Sequence, residues 1–209
     1  MQQNSLSVKN LGKIFGKGFK VFDKVNFDLN GGEALAITGS NGSGKSTMLK
    51  IIAGVVSPTK GEINCTISGV KIDYDNISEK IGFVSPYLIL YEEFTPIEHF
   101  QVFAKIRGIH FSEEKAVNLL KHFNIYKRRN DPIRTFSSGM KQRIKYINAL
   151  IADPAILMLD EPSTNLDIQG IDAVDSLIES HLTNNSIVLI ASNDEREIRF
   201  CKQRIELTN

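Results

Sequence analysis

The sequence has few of the features that mark secreted, membrane-spanning or nucleic-acid-binding chains. Its two cysteines, Cys65 and Cys201, are too few for a disulfide framework and are expected to be free thiols in a reducing cytosol. The longest apolar runs fall far short of the roughly 20 residues that span a bilayer, and the N-terminal residues lack the apolar segment of a signal peptide. Lys and Arg number 25 against 24 Asp and Glu, which gives no basic bias and predicts no nucleic-acid partner.

The hydrophobic pattern that is present predicts an α/β fold. A chain of 209 residues that is 42% hydrophobic can bury a sizeable core and fits one domain. Residues 19–29 alternate apolar and polar side chains, as a half-buried strand does, whereas residues 155–159 and 186–191 are mostly apolar and flank an amphipathic helical segment. Apolar strands separated by helices are typical of a parallel sheet with helices on its faces.

The middle of the chain is predicted to be helical. Thr95 can cap a helix, Pro96 suits its first position, and Glu98 completes a capping box. Residues 113–123 place apolar side chains on one face, and another helix is expected to begin near Ser138. The order along the chain is therefore sheet, helical insert and α/β.

Residues 39–47, GSNGSGKST, fit a phosphate-binding loop and lie between a short apolar strand and an apolar helix start, as that pattern requires. Glycines let the backbone N–H groups wrap phosphates, and the helix N-terminus adds positive potential. Lys45 would contact the β- and γ-phosphates, Ser46 a Mg²⁺ ion, and Thr47 the α-phosphate. The alternative is a glycine-rich turn with an accidental lysine. The candidate binding residues are Gly39, Ser40, Asn41, Gly42, Ser43, Gly44, Lys45, Ser46 and Thr47.

Two carboxylates follow at the tip of the apolar strand in ILMLDEP. Asp160 is predicted to hold the Mg²⁺ shell, directly or through water, and Glu161 to orient and deprotonate an attacking water. A positioned base contributes about 10²–10⁴ in rate. Asp-Glu-Pro is also common in strand-end turns, so the catalytic interpretation depends on the phosphate loop upstream.

Ser137, Ser138 and Gly139 stand at the start of the helix expected near Ser138. They present hydroxyl and N–H groups at the positive end of that helix. They predict a second anion site, although an ordinary helix cap has the same sequence features.

These motifs occur in an order that resembles an ATP-binding cassette (ABC) transporter ATPase subunit, and the resemblance covers nearly the whole chain. The segment SSGMKQR is similar to the family signature, with Phe136 and Ser138 in place of its usual Leu and first Gly, and Asp167 of STNLD matches the acid that follows the catalytic Glu. The resemblance implies a single domain with a P-loop NTPase core, a mainly parallel sheet, an N-terminal antiparallel β subdomain and an inserted helical lobe. The core lobe would be residues 1–85 and 151–209, and the helical lobe residues 86–150.

The resemblance also implies cofactors and partners. ATP and Mg²⁺ would bind at the phosphate loop, and two cassettes would pair head-to-tail so that each ATP lies between one phosphate loop and the other signature. Two phosphate sites on separate elements suit such an isologous interface. A separate transmembrane permease would receive the motion, which places the chain in the cytoplasm, peripheral to the cytoplasmic face of the membrane. The aromatic segment 87–103 could line the permease groove or serve only as helical-lobe core.

Three residues bear on how closely the family pattern is followed. Phe15 holds the place of the aromatic residue that stacks on adenine, with Phe19 as an alternative and core packing as the rival explanation. Pro86 stands where the family has Gln, and Asn193 stands where it has His. Asn193 is predicted to contact the γ-phosphate without acid–base capacity, or else to be a plain strand-end turn residue.

The predicted function is ATP hydrolysis that powers an ABC transporter through cassette pairing, with Glu161, Lys45 and Asn193 as catalytic residues. The two departures from the family pattern, at Pro86 and Asn193, point to slower ATP turnover or altered coupling to transport. A non-catalytic, nucleotide-gated clamp is therefore one alternative. A soluble ABC ATPase of DNA repair or translation is another, and it is opposed by the lack of a long coiled-coil insert or second cassette.

Overall fold

A computed structural model describes residues 3–16 and 18–208 and divides the strands of these residues between two sheets. The strands and helices are β1 (Ser5–Phe15), β2 (Phe19–Asn30), β3 (Ala34–Thr38), α1 (Lys45–Ile52), β4 (Lys60–Ile67), β5 (Val70–Ile72), β6 (Ile81–Val84), α2 (Pro96–Ile106), α3 (Glu113–His122), α4 (Ser138–Leu150), β7 (Ile156–Asp160), α5 (Ile168–Thr183), β8 (Ile187–Ala191) and β9 (Gln203–Glu206). Short 3₁₀ segments lie at Tyr74–Lys80, Tyr126–Arg128 and Ile133–Thr135.

The larger sheet is parallel and has the strand order β6-β7-β8-β3-β9. Every residue of β3, β7 and β8 is buried, as expected of strands covered on both faces. The carboxyl ends of these parallel strands lie at one edge of the sheet, and the loops after β3, β7 and β8 therefore meet there. The α/β fold with a mainly parallel sheet is confirmed.

The second sheet is antiparallel, with the order β2-β1-β4-β5. The end of β2 alternates buried and exposed residues from Val25 to Asn30, which confirms the half-buried strand predicted from its pattern. Its inward side chains share a core with α1 and with one face of the parallel sheet, including Leu35, Met158 and Leu189. This arrangement holds the segment that follows β3 between the two sheets.

The helices α2, α3 and α4 lie between β6 and β7 in the chain. Thr95 Oγ1 accepts a hydrogen bond from Glu98 N at 3.4 Å and Glu98 Oε2 accepts one from Thr95 N at 2.8 Å, which confirms the capping box. Buried aromatic residues of these helices, Phe100 and Tyr146 among them, join a core on the other face of the parallel sheet. The exact limits of a core lobe and a helical lobe stay a prediction.

Across residues 3–16 and 18–208, no helix combines the length and the apolar character needed to cross a membrane.

Candidate functional site

The phosphate loop connects β3 to α1, and its glycines adopt backbone angles that other residues rarely accept. Gly39 has φ 138° and Gly44, the N-cap of α1, has φ 101°. A Cβ at Gly39 would lie 2.4 Å from the carbonyl oxygen of Leu207, and one at Gly44 would lie 2.3 Å from Cγ1 of Val21. Both positions therefore require glycine for conformation and for space, so the loop is a built structure rather than an incidental turn.

The side chain of Lys45 lies inside this loop. Its side chain is buried, and Nζ donates hydrogen bonds to the carbonyl oxygens of Gly39 at 2.7 Å and Ser40 at 3.3 Å. The first turn of α1 carries no acidic residue, so its N-terminal N–H groups and Lys45 together present positive potential. An anion of the size of a phosphate group would be favoured here.

The rest of the loop forms a rim and a floor. Ser40, Asn41 and Gly42 are exposed, whereas Ser43 is fully buried and its Oγ has no hydrogen-bond partner among the described residues. Thr47 is half-buried on the first turn of α1. The rim residues are thus accessible to a ligand.

Asp160 lies at the buried tip of β7 and gathers two hydroxyl groups. Its Oδ1 accepts a hydrogen bond from Ser46 Oγ at 3.1 Å, and its Oδ2 accepts one from Ser85 Oγ at 3.4 Å. Carboxylate and hydroxyl oxygens are the hard ligands that Mg²⁺ prefers. Proteins usually bind Mg²⁺ through one or two carboxylates together with phosphate oxygens of the ligand. The donor set therefore fits Mg²⁺. Ser46 and Asp160 were predicted to act together, and Ser85 joins them.

Glu161 follows directly and has an unusual backbone. Its φ is 49°, in the left-handed region, and its N–H donates to the carbonyl oxygen of Ala191 at 2.9 Å. A non-glycine residue in this region costs about 1–3 kcal/mol, so neighbouring contacts must hold it there. The side chain is exposed, so it is available to a water molecule near the loop.

Asn193, beyond the tip of β8, pairs with the phosphate loop itself. Its Oδ1 accepts a hydrogen bond from Gly39 N at 3.0 Å, and its Nδ2 donates one to Gly39 O at 2.9 Å. The carbonyl of Gly39 therefore accepts from both Lys45 and Asn193. Sequence reasoning did not foresee this pairing, because the two residues are 154 positions apart. The γ-phosphate contact stays a prediction.

Lys145, which the sequence analysis did not single out, holds the chain at Pro86. Lys145 Nζ donates hydrogen bonds to the carbonyl oxygens of Ser85 and Pro86. Burial lowers the pKa of Lys145. Lys145 thus fixes the segment that carries Ser85, in a place where Pro86 offers no side-chain donor or acceptor.

The signature residues begin α4 and serve as a helix cap in this chain. Ser137 Oγ accepts a hydrogen bond from Met140 N at 3.3 Å, while Ser138 is exposed. A Cβ at Gly139 would lie 2.7 Å from the carbonyl oxygen of Asn165, so close approach requires glycine. Within the described ranges no hydrogen bond joins Ser137 or Ser138 to the phosphate loop. The second anion site stays a prediction.

Arg143 connects the signature helix to the segment after Glu161. It donates to the carbonyl oxygen of Phe123 at 2.9 Å and to the carboxylate of Asp167. Hydrogen bonds from the Gly170 backbone and from Arg143 lower the pKa of Asp167, which caps α5. Phe136, the residue in place of the family's Leu, is buried against the helical core.

The two candidate adenine-stacking residues lie at the end of the β1–β2 hairpin. Phe15 is 43% exposed and pairs across the hairpin with Phe19, which is 70% exposed. The ammonium of Lys13 lies 4.6 Å from the centroid of the Phe15 ring. Neither ring is core, so the rival explanation of core packing does not describe them, and the adenine contact stays a prediction.

A family model described as ABC transporter matches residues 22–164. The chain belongs to the ABC transporter family. Residues 22–164 contain the phosphate loop, the signature segment and the Asp160–Glu161 pair, and the resemblance seen in the sequence is confirmed. The chain is thus the nucleotide-binding domain of an ABC transporter, with a general role in ATP-driven transport.

Curated ABC transporter proteins match over most of this chain. The cytochrome c biogenesis ATP-binding export protein CcmA of Nitrosospira multiformis is 31% identical over 193 residues, which cover 90% of this chain and 92% of that protein. The lipoprotein-releasing system ATP-binding protein LolD of Treponema denticola is 31% identical over 208 residues, with 95% and 92% covered. ABC transporter A family member 8 of Dictyostelium discoideum is 30% identical over 97% of this chain. The matched region is only 25% of the length of that protein.

Solved ABC transporter structures have the same fold. An ATP-binding subunit of an ABC transporter superposes with TM-score 0.82 at 28% identity, covering 97% of this chain and 85% of that chain. The ATP-binding cassette MJ0796, solved as a dimer in a post-hydrolysis state with ADP and Pi, gives TM-score 0.80 at 27% identity, with 97% and 94% covered. The P-loop fold of this chain is therefore that of ABC ATPases.

Proposed function

We propose that the chain hydrolyses ATP in a Mg²⁺-dependent reaction and powers a transporter by pairing with a second cassette. The observation that carries this proposal is the meeting of Ser46, Ser85 and Asp160 beside the buried ammonium of Lys45. These groups lie at the start of α1 and at the carboxyl ends of β6 and β7, and they would provide cationic and oxygen contacts for a nucleoside triphosphate and its metal ion.

The phosphate loop binds the nucleotide. The N–H groups of residues 40–42 and 44 and the Lys45 ammonium hold the β- and γ-phosphates, and the Thr47 hydroxyl reaches the α-phosphate. Phe15, with Phe19 as the alternative, stacks on the adenine. Lys45 already lies on the loop carbonyls, so little side-chain ordering is needed when its donors turn to phosphate oxygens.

Ser46 and Asp160 would hold Mg²⁺, and Ser85 supports the carboxylate of Asp160. When bound, Mg²⁺ neutralises negative charge on the β- and γ-phosphate oxygens.

Glu161 acts as general base and takes a proton from the attacking water. Asn193 donates from Nδ2 to the γ-phosphate, and its amide cannot take up a proton near neutral pH. Phosphoryl transfer depends mainly on positioning and charge stabilisation. Glu161 and Asn193, together with Lys45, can supply both the positioning and the charge stabilisation.

Pairing with a second cassette explains why one chain has two phosphate-binding motifs at separate places. Ser137, Ser138 and Gly139 would meet the nucleotide on the partner's phosphate loop, in a homodimer or a paired cassette. A separate transmembrane permease would receive the motion and would hold the chain at the cytoplasmic face of the membrane. The dimeric form of MJ0796 supports the pairing of two cassettes.

The test of the proposed function is the mass of the purified Glu161→Gln chain in solution. Without the base, ATP should persist and hold two chains together, so light scattering with ATP and Mg²⁺ should give twice the monomer mass. With ADP in place of ATP the same chain should be monomeric. A variant that stays monomeric at saturating ATP, alone and with its permease, would contradict the shared site.

Asn193→Ala should lower both stability and turnover. The variant loses two hydrogen bonds to Gly39, each with a net value of about 0.5–1.5 kcal/mol. At roughly 2–4 °C per kcal/mol for a chain of this size, the melting temperature should fall by about 2–12 °C. Loss of a preorganised donor should also lower kcat by about 10-fold or more. Melting curves and steady-state ATPase assays separate the effects, and an unchanged kcat per folded molecule would make Asn193 a turn residue only.

A further inference from the structure

The position of the Glu161 carboxylate depends on the backbone around it. The side chain is exposed, and among the described residues no hydrogen bond is made by its carboxylate. Its backbone lies in the left-handed region, where a non-glycine residue persists only if neighbouring contacts hold it. The backbone of Glu161 is held by Ala191 O and Thr164 N, and the contacts of residues 162 and 163 fix the rest of the turn that sets where the carboxylate lies.

Pro162 is held from the side of the signature helix. The hydroxyl of Tyr146 on α4 donates to the carbonyl oxygen of Pro162 at 2.7 Å, and Tyr146 is fully buried. Burial raises the pKa of Tyr146 well above its ordinary value, and the negative charges of Glu197 and Asp175 raise it further. The phenol therefore stays protonated and remains a donor.

Ser163 is held from the opposite part of the chain. Glu197 lies four residues after Asn193, and its Oε1 accepts hydrogen bonds from the Ser163 backbone N–H at 2.8 Å and from the Ser163 hydroxyl. Bonds to an ionised carboxylate are stronger than neutral ones. One carboxylate oxygen thus fixes both the backbone and the side chain of Ser163, two positions after Glu161.

We propose that Glu197 is a positioning residue for ATP hydrolysis, which acts on Glu161 through Ser163. It ties the segment after β8, which carries Asn193, to the segment after β7, which carries Glu161. With Tyr146 on the other side, the turn at 161–163 cannot relax its strained backbone without breaking a hydrogen bond. This inference rests on the proposed function.

The decisive measurement is steady-state ATPase kinetics of purified full-length variants with Mg²⁺ and ATP. A misplacement of about 1 Å can cost on the order of 10²-fold in rate, so Glu197→Ala should lower kcat by about 10- to 100-fold. KM should stay within about twofold, because the phosphate loop is untouched. Glu197→Gln keeps an acceptor oxygen and should recover most of kcat. Glu195→Ala is the matched control, because Glu195 bonds Arg204 and should leave kcat unchanged.

A structural role alone would not give the same result in the Glu161→Gln background. If Glu197 acts through Glu161, adding Glu197→Ala to Glu161→Gln should change the residual rate less than twofold, because effects of residues that act as one unit do not add. Ser163→Ala, which removes only a hydroxyl group, should lower kcat in the same direction and serves if Glu197→Ala does not fold.

Three results would overturn the inference. They are an unchanged kcat in Glu197→Ala, an effect on KM alone, or a full additional loss in the Glu161→Gln background. A Glu161→Gln chain that keeps the parent's rate would instead contradict the proposed role of Glu161 as the base, whatever Glu197→Ala does, so the two failures are distinguishable.

Discussion

Replacing Glu161 by Gln is expected to lower the ATPase rate by about a hundredfold or more while ATP binding is retained. A positioned base contributes about 10²–10⁴ in rate, and Gln keeps the shape of the side chain but cannot take up the proton of the attacking water. The phosphate loop, Lys45 and Asp160 are unchanged, so ATP affinity should stay within about threefold. Phosphate release at saturating ATP and Mg²⁺ measures the rate, and calorimetric titration measures the affinity.

The control for this result is Glu179→Gln, an exposed glutamate on α5, which should leave the rate unchanged. A Glu161→Gln rate within twofold of the parent would assign the base elsewhere. If the parent itself binds ATP and does not hydrolyse it, the chain is a nucleotide-gated clamp, as Asn193 and Pro86 allow.

Replacing Lys45 by Ala should weaken ATP binding by about a hundredfold or more. Hydrogen bonds to charged groups contribute about 1.5–3 kcal/mol each, and a loss of about 2.8 kcal/mol corresponds to a hundredfold in Kd. The ammonium lies in a buried position, where a charge interacts more strongly with phosphate than it does in water. The fold should survive, because Gly39 O keeps its hydrogen bond from Asn193.

Lys50 in the last turn of α1 provides the matched control. Lys50→Ala removes the same charge from the same helix and should bind ATP as the parent does. Calorimetric titration with ATP and Mg²⁺ compares the three chains, and the melting temperature confirms that each is folded. Parental affinity in Lys45→Ala would show that residues 39–47 do not hold the phosphates.

The features that the sequence predicts well have signals that lie close together in the chain. The phosphate loop needs nine consecutive residues, and the capping box needs Thr95 and Glu98, three positions apart. Buried strands are recognised by their apolar runs, and the parallel sheet follows from the helices between them. Each of these signals arises from local backbone conformation or from burial, and both restrict which residue types can stand at a position.

The features that could not be predicted join distant residues through ordinary polar contacts. Asn193 meets Gly39 across 154 positions, Lys145 meets Pro86 across 59, and Glu197 meets Ser163 across 34. An Asn, a Lys or a Glu in a polar segment is compatible with many partners, and only the strand order brings these pairs together. That order, β6-β7-β8-β3-β9, depends on pairing between segments far apart in the chain.

The strand order also decides when the phosphate loop can form. Residues 34–38 are made early, but their two neighbours in the sheet are β8 and β9, from the last part of this sequence. The carbonyl of Thr38 accepts a hydrogen bond from Leu207 N at 2.8 Å. Pairing over such a separation is slow and requires both segments to be present. A growing chain on the ribosome would therefore gain its nucleotide affinity late, after residue 207 has emerged, and nascent chains stalled before β8 should not be retained on immobilised ATP.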